Sequence, residues 1–195
     1  IIKVGVTNCY LLKSSRSNIL IDTGYKGKAK IILEYIQSLG ISPKSIKLII
    51  LTHAHYDHVG NALGLKKATG AKILLHKDDL PLLDSGITTN QSTKPLNMWG
   101  NILLRKISSI DTKFSKVIPD ILIDSEFDLA EYGINGMIIH TPGHSKGSVS
   151  ILLNSGDAFI GDLAMNGFPL RLGAGEPIFG DDIEEVYQSW KKLVE

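Results

Sequence analysis

The chain has 195 residues, a length that fits one domain better than two independent ones. Its 43% hydrophobic and 21% charged residues are typical of a globular protein with an apolar core, which excludes a disordered chain. The formal net charge of +1 lacks the basic excess of nucleic-acid-binding surfaces, so we expect no nucleic-acid partner.

The first part of the chain predicts a β-meander followed by a helix and a buried strand. Apolar runs separated by turn residues predict strands at residues 1–6, 9–13 and 18–21. Apolar residues at helical spacing then predict a helix over residues 28–39, closed by Gly40. The nearly unbroken apolar run at residues 46–51 predicts a strand that is buried on both faces.

The rest of the chain alternates further helices and strands around one polar segment. We predict helices at 60–69, 77–83 and 181–195, and strands at 71–75, 117–123, 137–140, 148–153 and 158–160. Residues 85–115 are rich in Thr, Asn, Ser and Lys, and we expect them to form a lid or insertion. Residues 1–195 are predicted to form a single domain, for which periodicity alone indicates an α/β or α+β class.

Four potential metal ligands fall within six residues, directly after the predicted strand 46–51: His53, His55, Asp57 and His58. In an extended segment alternate side chains share a direction, and a turn can add His58 to the group. Imidazole and carboxylate donors together favour zinc or iron. A solvated polar loop would explain a single histidine, but the cluster stands at the carboxyl end of a strand and favours a metal site.

Two more candidate ligands follow other predicted strands. His144 comes after Pro142 and Gly143, which can form a tight turn that directs the imidazole back towards the sheet. Asp162 follows Gly161 at the end of the predicted strand 158–160. Three strand ends therefore supply nitrogen and oxygen donors.

The chain resembles the metallo-β-lactamase superfamily in four motifs that stand in that family's order. The motifs are Asp22-Thr23-Gly24, Thr52-His53-Ala54-His55-Tyr56-Asp57-His58, Thr141-Pro142-Gly143-His144-Ser145 and Gly161-Asp162. The resemblance spans most of the chain. It implies an α/β (α+β) fold, namely a four-layer αββα sandwich of two mixed sheets with outer helices.

The resemblance also implies a site for two divalent metal ions, with zinc expected and iron or manganese as alternatives. His53, His55 and His144 would hold the first metal. Asp57 and His58 would hold the second, and Asp162 would bridge the two. Asp22 would hydrogen-bond to the histidine-rich loop and fix its shape without contacting a metal.

One departure concerns the second metal. The family usually supplies a further histidine after the helix that corresponds to the last helix here, and no histidine follows His144. The sequence stops inside an amphipathic helix without a capping residue, so we expect that the C-terminal end is missing. If the histidine is truly lost, the second metal would bind more weakly.

The implied reaction is hydrolysis by a metal-bound hydroxide that bridges the two ions, with Asp57 orienting the nucleophile and transferring a proton. Similarity to glyoxalase II and to lactonases favours an ester, thioester or lactone of a small molecule. The alternatives are a phosphodiesterase or nuclease, an iron-dependent redox enzyme, and a metal-binding module without activity. A β-lactamase is less favoured, because residues 163–165 do not resemble the cysteine-bearing second site of the commonest zinc lactamases.

The single cysteine, Cys9, cannot form an intramolecular disulfide, which favours a reducing compartment. No segment has the length of a transmembrane helix or the pattern of a signal peptide. We therefore expect a cytoplasmic protein without a membrane partner, and the sequence does not indicate its oligomeric state.

Overall fold

The computed structural model describes residues 1–5, 7–89, 94–96, 98–107, 110–166 and 174–194. The strands in these ranges are β1 (Ile2–Lys3), β2 (Asn8–Lys13), β3 (Asn18–Ile21), β4 (Ile46–Ile50), β5 (Lys72–His76), β6 (Lys94–Pro95), β7 (Ile121–Ile123), β8 (Phe127–Asp128), β9 (Gly136–His140), β10 (Val149–Leu153), β11 (Ala158–Phe159) and β12 (Phe179–Gly180). The helices are α1 (Ala29–Ser38), α2 (Tyr56–Val59), α3 (Ala62–Thr69), α4 (Leu80–Ser85), α5 (Met98–Ile107) and α6 (Ile183–Val194).

Two sheets form the centre of the molecule. The larger one has the strand order β1-β2-β3-β4-β5-β7 and is mixed, since β1 to β3 pair antiparallel and β3, β4, β5 and β7 pair parallel. The smaller one has the order β11-β10-β9-β8 and is antiparallel throughout. Parallel neighbours need crossover connections, which α1 and α3 supply in the larger sheet, whereas short turns join the strands of the smaller one.

The alternation of side chains along the larger sheet creates two apolar layers. Leu20 on β3 packs with Ile32 and Ile36 of α1, whereas its neighbours Ile19 and Ile21 belong to the core between the two sheets. All five side chains are fully buried, because a strand covered on both faces exposes neither set of side chains. The αββα class is therefore confirmed, with the difference that the second sheet is antiparallel rather than mixed.

Helix α6 lies next to the loops that leave the second sheet. The Ser189 hydroxyl donates to the carbonyl of Pro142 at 2.7 Å, and the indole of Trp190 donates to the carbonyl of Leu163 at 2.9 Å. Val186, on the same helix, is fully buried. These contacts hold α6 against the two loops that carry His144 and Asp162.

Most predicted elements agree with the structure to within a few residues. The strand predicted over 117–123 is shorter, since only Ile121–Ile123 pairs with β5. The short strands β6, β8 and β12 were not predicted, because two-residue strands have no detectable periodicity. Val6 and Glu195, each at the end of a predicted element, lie outside the described residues.

The segment 85–115 is only partly described, and there it contains β6, paired with β12, and the helix α5. Its function as a lid stays a prediction. Within the described ranges, none of the helices has both the length and the apolar character needed to cross a bilayer.

Leu74 provides a test of the core between the sheets. Its side chain is fully buried there, so Leu74→Ala should lower the free energy of unfolding by about 2–5 kcal/mol through lost burial and a residual cavity. Leu122→Ala is the matched control, because Leu122 is 47% exposed and should cost at most about 0.5 kcal/mol. Denaturant unfolding measures both values, and equal losses would contradict the described packing.

Candidate metal centre

The candidate ligands meet because several strands end at the same edge of the larger sheet. Ile21 of β3 and Ile50 of β4 are partners in a parallel pair, so the chain leaves both strands at this edge. The amide of Asp22 donates to the carbonyl of Ile50 at 2.9 Å. The amide of Val149, at the start of β10, donates to the carbonyl of Thr52 at 2.9 Å and joins the second sheet to the histidine-rich loop.

The side chain of Asp22 anchors the histidine-rich loop, which comprises residues 52–58. It is 2% exposed and has a φ of 59°, a conformation that few residues other than glycine and asparagine adopt readily. Its Oδ1 accepts from the backbone amide of Thr52 and its Oδ2 from the Thr52 hydroxyl, both at 2.8 Å. Nδ1 of His58 lies 2.9 Å from Oδ2. Asp22 thus contacts both ends of the loop, and the role that the resemblance implies for it in metal binding stays a prediction.

The loop folds back on itself at the start of α2. His55 precedes this short helix in an extended conformation, and the helical turn then brings His58 to the same side as His53. The ring centroids of His53 and His58 are 4.0 Å apart, and those of His53 and His55 are 4.7 Å apart. All three histidines are buried, with each residue at most 3% exposed.

His144 reaches the cluster from the second sheet. The preceding Gly143 has a φ of 125°, and a Cβ on it would lie 2.4 Å from the amide nitrogen of Val186, so a larger residue would push α6 away. Nδ1 of His144 lies 2.9 Å from the carbonyl oxygen of Phe179 and can donate to it. The opposite nitrogen, Nε2, lies 2.9 Å from Nδ1 of His55.

Asp162 lies between His58 and His144. It stands in the helical turn Gly161–Leu163 that follows β11. Its Oδ1 is 3.2 Å from Nε2 of His58, and its Oδ2 is 3.8 Å from Nε2 of His144. One carboxylate thus faces both imidazoles, an arrangement that suits a bridging ligand.

These side chains form two overlapping groups of donor atoms. His53, His55 and His144 form one group, and His53, His58 and Asp162 form the other, with the donor atoms in each within 4.8 Å of one another. Nε2 of His53 is buried and has no hydrogen-bond partner among the described residues, whereas Nε2 of His58 faces Oδ1 of Asp162 at 3.2 Å. Since unsatisfied buried polar atoms are costly, the donor set fits metal ions that would accept their lone pairs.

Asp57 belongs to neither group. Its Oδ2 is 3.9 Å from Nε2 of His58, and its side chain is 16% exposed. It borders a cavity of about 430 Å³, together with His58, Asp162 and the side chains of Tyr10 and Phe159. Burial raises the pKa of the Asp57 carboxyl, and the charge of Asp162 adds to this while His58 opposes it.

Burial and neighbouring charges shift the pKa values of the histidines in different directions. Burial lowers the pKa of His53 well below its usual value, and the imidazoles of His58, His144 and His55 lower it further. Burial also lowers the pKa of His144. The pKa of His58 is raised in spite of burial, because the carboxylates of Asp162, Asp22 and Asp57 outweigh that effect.

Asp79 was not identified from the sequence, yet it contacts both ligand loops. Its Oδ2 accepts from the amide of Ala54 at 2.7 Å and from the hydroxyl of Ser145 at 2.9 Å. Its Oδ1 accepts from the amide of Gly147 at 2.8 Å. In the sequence Asp79 is one of two adjacent aspartates after an apolar run, and nothing in this pattern separates it from Asp78, which is exposed.

A third group of potential donors, His76, Asp78 and His140, lies beside the two loops. The rings of His76 and His140 are stacked, with centroids 3.9 Å apart and planes at 9°. A metal lies near the plane of each imidazole that binds it, and parallel stacked rings have no common in-plane point. This arrangement therefore does not fit a shared metal.

Asp22 provides a test of the anchor. In Asp22→Asn the new side chain has the same shape as aspartate and tolerates the positive φ. Its NH₂ group, however, must point at a hydrogen-bond donor of Thr52 or His58. We expect the metal-free protein to lose about 1–3 kcal/mol of unfolding free energy. Asp84→Asn is the control, since Asp84 is exposed on α4. Chemical denaturation checks both variants, and an unchanged stability of Asp22→Asn would contradict the anchoring role.

Comparisons with known proteins identify a family whose model matches nearly the whole chain. A family model described as the metallo-beta-lactamase superfamily matches residues 2–195. The Beta-lactamase-like protein 2 homolog of Drosophila melanogaster is 32% identical over 189 residues, which cover 97% of this chain and 54% of the relative. Hydroxyacylglutathione hydrolase GloC of Haemophilus influenzae is 28% identical over 163 residues, which cover 82% of this chain and 68% of the relative.

The fold is also similar to solved structures. The crystal structure of TTHA1623 in a di-iron-bound form matches with a TM-score of 0.70 and 26% identity, covering 100% of this chain and 84% of that one. The chain spans about half of the length of the Drosophila relative.

Proposed function

Because this chain belongs to the metallo-β-lactamase superfamily of metal-dependent hydrolases, we propose that it hydrolyses an ester, thioester or lactone of a small molecule. The observation that carries the proposal is the pair of overlapping donor groups at one buried edge of the sheets. The unpartnered Nε2 of His53, which belongs to both groups, supports metal binding over a purely structural cluster.

Two metal ions would be held by the residues that the sequence indicated. His53, His55 and His144 would hold the first, since their rings converge and burial disfavours the imidazolium form of His53 and His144, which leaves one nitrogen of each ring with a free lone pair. His58 and Asp57 would hold the second, with Asp162 between the two. Oδ2 of Asp57 and Nε2 of His58 are 3.9 Å apart, a separation that two ligands of one ion can have, since each lies about 2.0–2.2 Å from the metal.

When bound, the metals would lower the pKa of a water molecule and stabilise the negative charge that develops on the attacked carbonyl. The residues of the chain would supply orientation and proton transfer. Asp57 borders the cavity and has a raised pKa, so it can accept a proton from the nucleophile and pass it to the leaving group. Asp22 would keep His58 and Thr52 fixed while the substrate changes shape.

The cavity supports a small substrate. Its volume of about 430 Å³ suits an acyl group beside the candidate metals, and its described walls combine the aromatic rings of Tyr10 and Phe159 with polar Thr7 and Asn8. The similarity to a hydroxyacylglutathione hydrolase supports a thioester within the proposed substrate class.

An iron-dependent redox reaction is the second candidate. It is favoured by the similarity to a structure described as di-iron-bound. Imidazole and carboxylate donors suit iron as well as zinc, so the donor set does not separate the two metals. Elemental analysis after expression distinguishes them, because zinc supports the hydrolase and iron with oxygen-dependent turnover supports the redox enzyme.

Removal of one imidazole tests metal binding. His55→Ala should abolish both metal content and hydrolysis while the unfolding transition stays cooperative. His140→Gln is the matched control, because His140 lies outside the two donor groups, and it should keep the metal content. Elemental analysis and assays with thioester, lactone, phosphodiester and β-lactam substrates provide the readout. Full activity of metal-free His55→Ala would contradict the proposal.

Asp57 is tested by removal of its charge. Asp57→Asn should lower kcat by about 10²–10⁴-fold, since an amide cannot transfer the proton. Metal at the three-histidine group should remain, because Asp57 is not part of it. Asp84→Asn again serves as the control. A variant with wild-type kcat would show that another group transfers the proton.

A further inference from the structure

We infer that Asp79 is a positioning residue. It sets the distance between the loop that carries His53 and His55 and the loop that carries His144. This inference rests on the proposed function, because it assigns Asp79 an effect on metal affinity. Ala54, one of its partners, stands directly between His53 and His55 in the chain. Ser145, another partner, directly follows His144.

The contacts of Asp79 join two different sheets through one carboxylate. The amide of Ala54 belongs to the loop after β4 of the larger sheet, and it donates to Oδ2 at 2.7 Å. The Ser145 hydroxyl and the Gly147 amide belong to the loop between β9 and β10 of the smaller sheet, and they donate at 2.9 and 2.8 Å. Asp79 itself follows β5, so it is a third, separate point of attachment.

A carboxylate is better suited to this position than an amide. Both oxygens of Asp79 accept, and two of its three partners are backbone N–H groups that can only donate. The side chain is 2% exposed, so water cannot replace a lost partner easily. An asparagine would have to direct its NH₂ group at the backbone amide of Gly147 or of Ala54. That amide would then be a buried donor without an acceptor.

The absence of a side chain at residue 147 fits the same arrangement. A Cβ at Gly147 would lie 2.6 Å from the Asp79 amide nitrogen and 2.8 Å from its Oδ1. Both distances are too short for ordinary contact, so Gly147→Ala would force the two segments apart. It would do so while the carboxylate itself stays unchanged, which gives an independent way to break the same link.

The hydrogen bonds of Asp79 can affect the metal ligands, because they join the same two loops that carry His55 and His144. Nδ1 of His55 and Nε2 of His144 are 2.9 Å apart, although their residues are on different loops. The hydrogen bonds of Asp79 attach next to both of them in the chain. Loss of the link should therefore change the spacing of the two nitrogens and weaken a metal that binds both.

Metal affinity separates this role from a purely structural one. A buried residue that only stabilises the fold would lower the melting temperature of the metal-free protein and leave the affinity of the folded protein unchanged. A positioning residue changes the affinity and the ligand geometry. Supporting side chains behind metal ligands typically contribute about 10–100-fold to metal affinity.

The experiment measures the Zn²⁺ dissociation constant of the full chain by competition with a chromophoric chelator, and the visible spectrum of the Co²⁺-loaded protein. Asp79→Asn and Gly147→Ala should each raise the dissociation constant by about 10–100-fold and alter the Co²⁺ bands. Ser145→Ala, which removes one of the three donors, should have a smaller effect of the same sign. Asp78→Asn and Gly64→Ala are the matched controls, since Asp78 is exposed and a Cβ at Gly64 meets only an ordinary contact at 3.8 Å.

Wild-type affinity and spectrum in folded Asp79→Asn and Gly147→Ala would overturn the inference, even if their melting temperatures fell. If either of these variants fails to fold, Ser145→Ala decides, and a wild-type dissociation constant there overturns the inference as well. Failure of the wild-type protein to bind Zn²⁺ or Co²⁺ would instead overturn the proposed function, and with it the assignment of Asp79.

Discussion

Many polar side chains are buried together at one edge of the sheets. The surrounding structure has to supply hydrogen-bond partners for them. Four histidines and Asp22 are buried there, each residue at most 3% exposed. Each unsatisfied polar atom in such a place costs free energy. Asp22 and Asp79 satisfy backbone and hydroxyl donors of the loops, whereas Nε2 of His53 has no partner in the described structure and Nε2 of His58 faces only the carboxylates of Asp162 and Asp57. Under our proposal, metal ions satisfy these remaining atoms.

The sheets make this concentration of polar groups possible. β3, β4 and β5 pair in parallel, so their carboxyl ends meet at one edge, and the antiparallel second sheet brings the loop after β9 and the turn after β11 to the same place. The apolar layers on both faces of the larger sheet hold these strands rigidly. Rigid strands with ligands on their terminal loops are a common arrangement for catalytic sites, because small errors in ligand position are costly.

Local patterns in the sequence were sufficient for an α/β or α+β class and for singling out the histidine cluster, whereas the αββα sandwich was implied by the resemblance of four motifs to a known family. Apolar periodicity located the strands, and the spacing of His53, His55 and His58 was unusual for a chain with few histidines. Asp79 was missed because its partners are backbone amides and a serine far away in the sequence, which leave no local pattern. The antiparallel order of the second sheet was missed for a similar reason, since pairing direction depends on connections rather than on composition. The ligand roles themselves stay predictions.

The most direct test of the proposed metal centre is a ¹H–¹⁵N correlation spectrum of the six imidazoles during titration of the metal-free protein with Zn²⁺. We predict that the signals of the ring nitrogens of His53, His55, His58 and His144 shift together and that those of His76 and His140 do not change. Saturation should require more than one equivalent of Zn²⁺ if both donor groups are filled. A spectrum without changes, or one in which His76 and His140 respond first, would contradict the proposed metal centre.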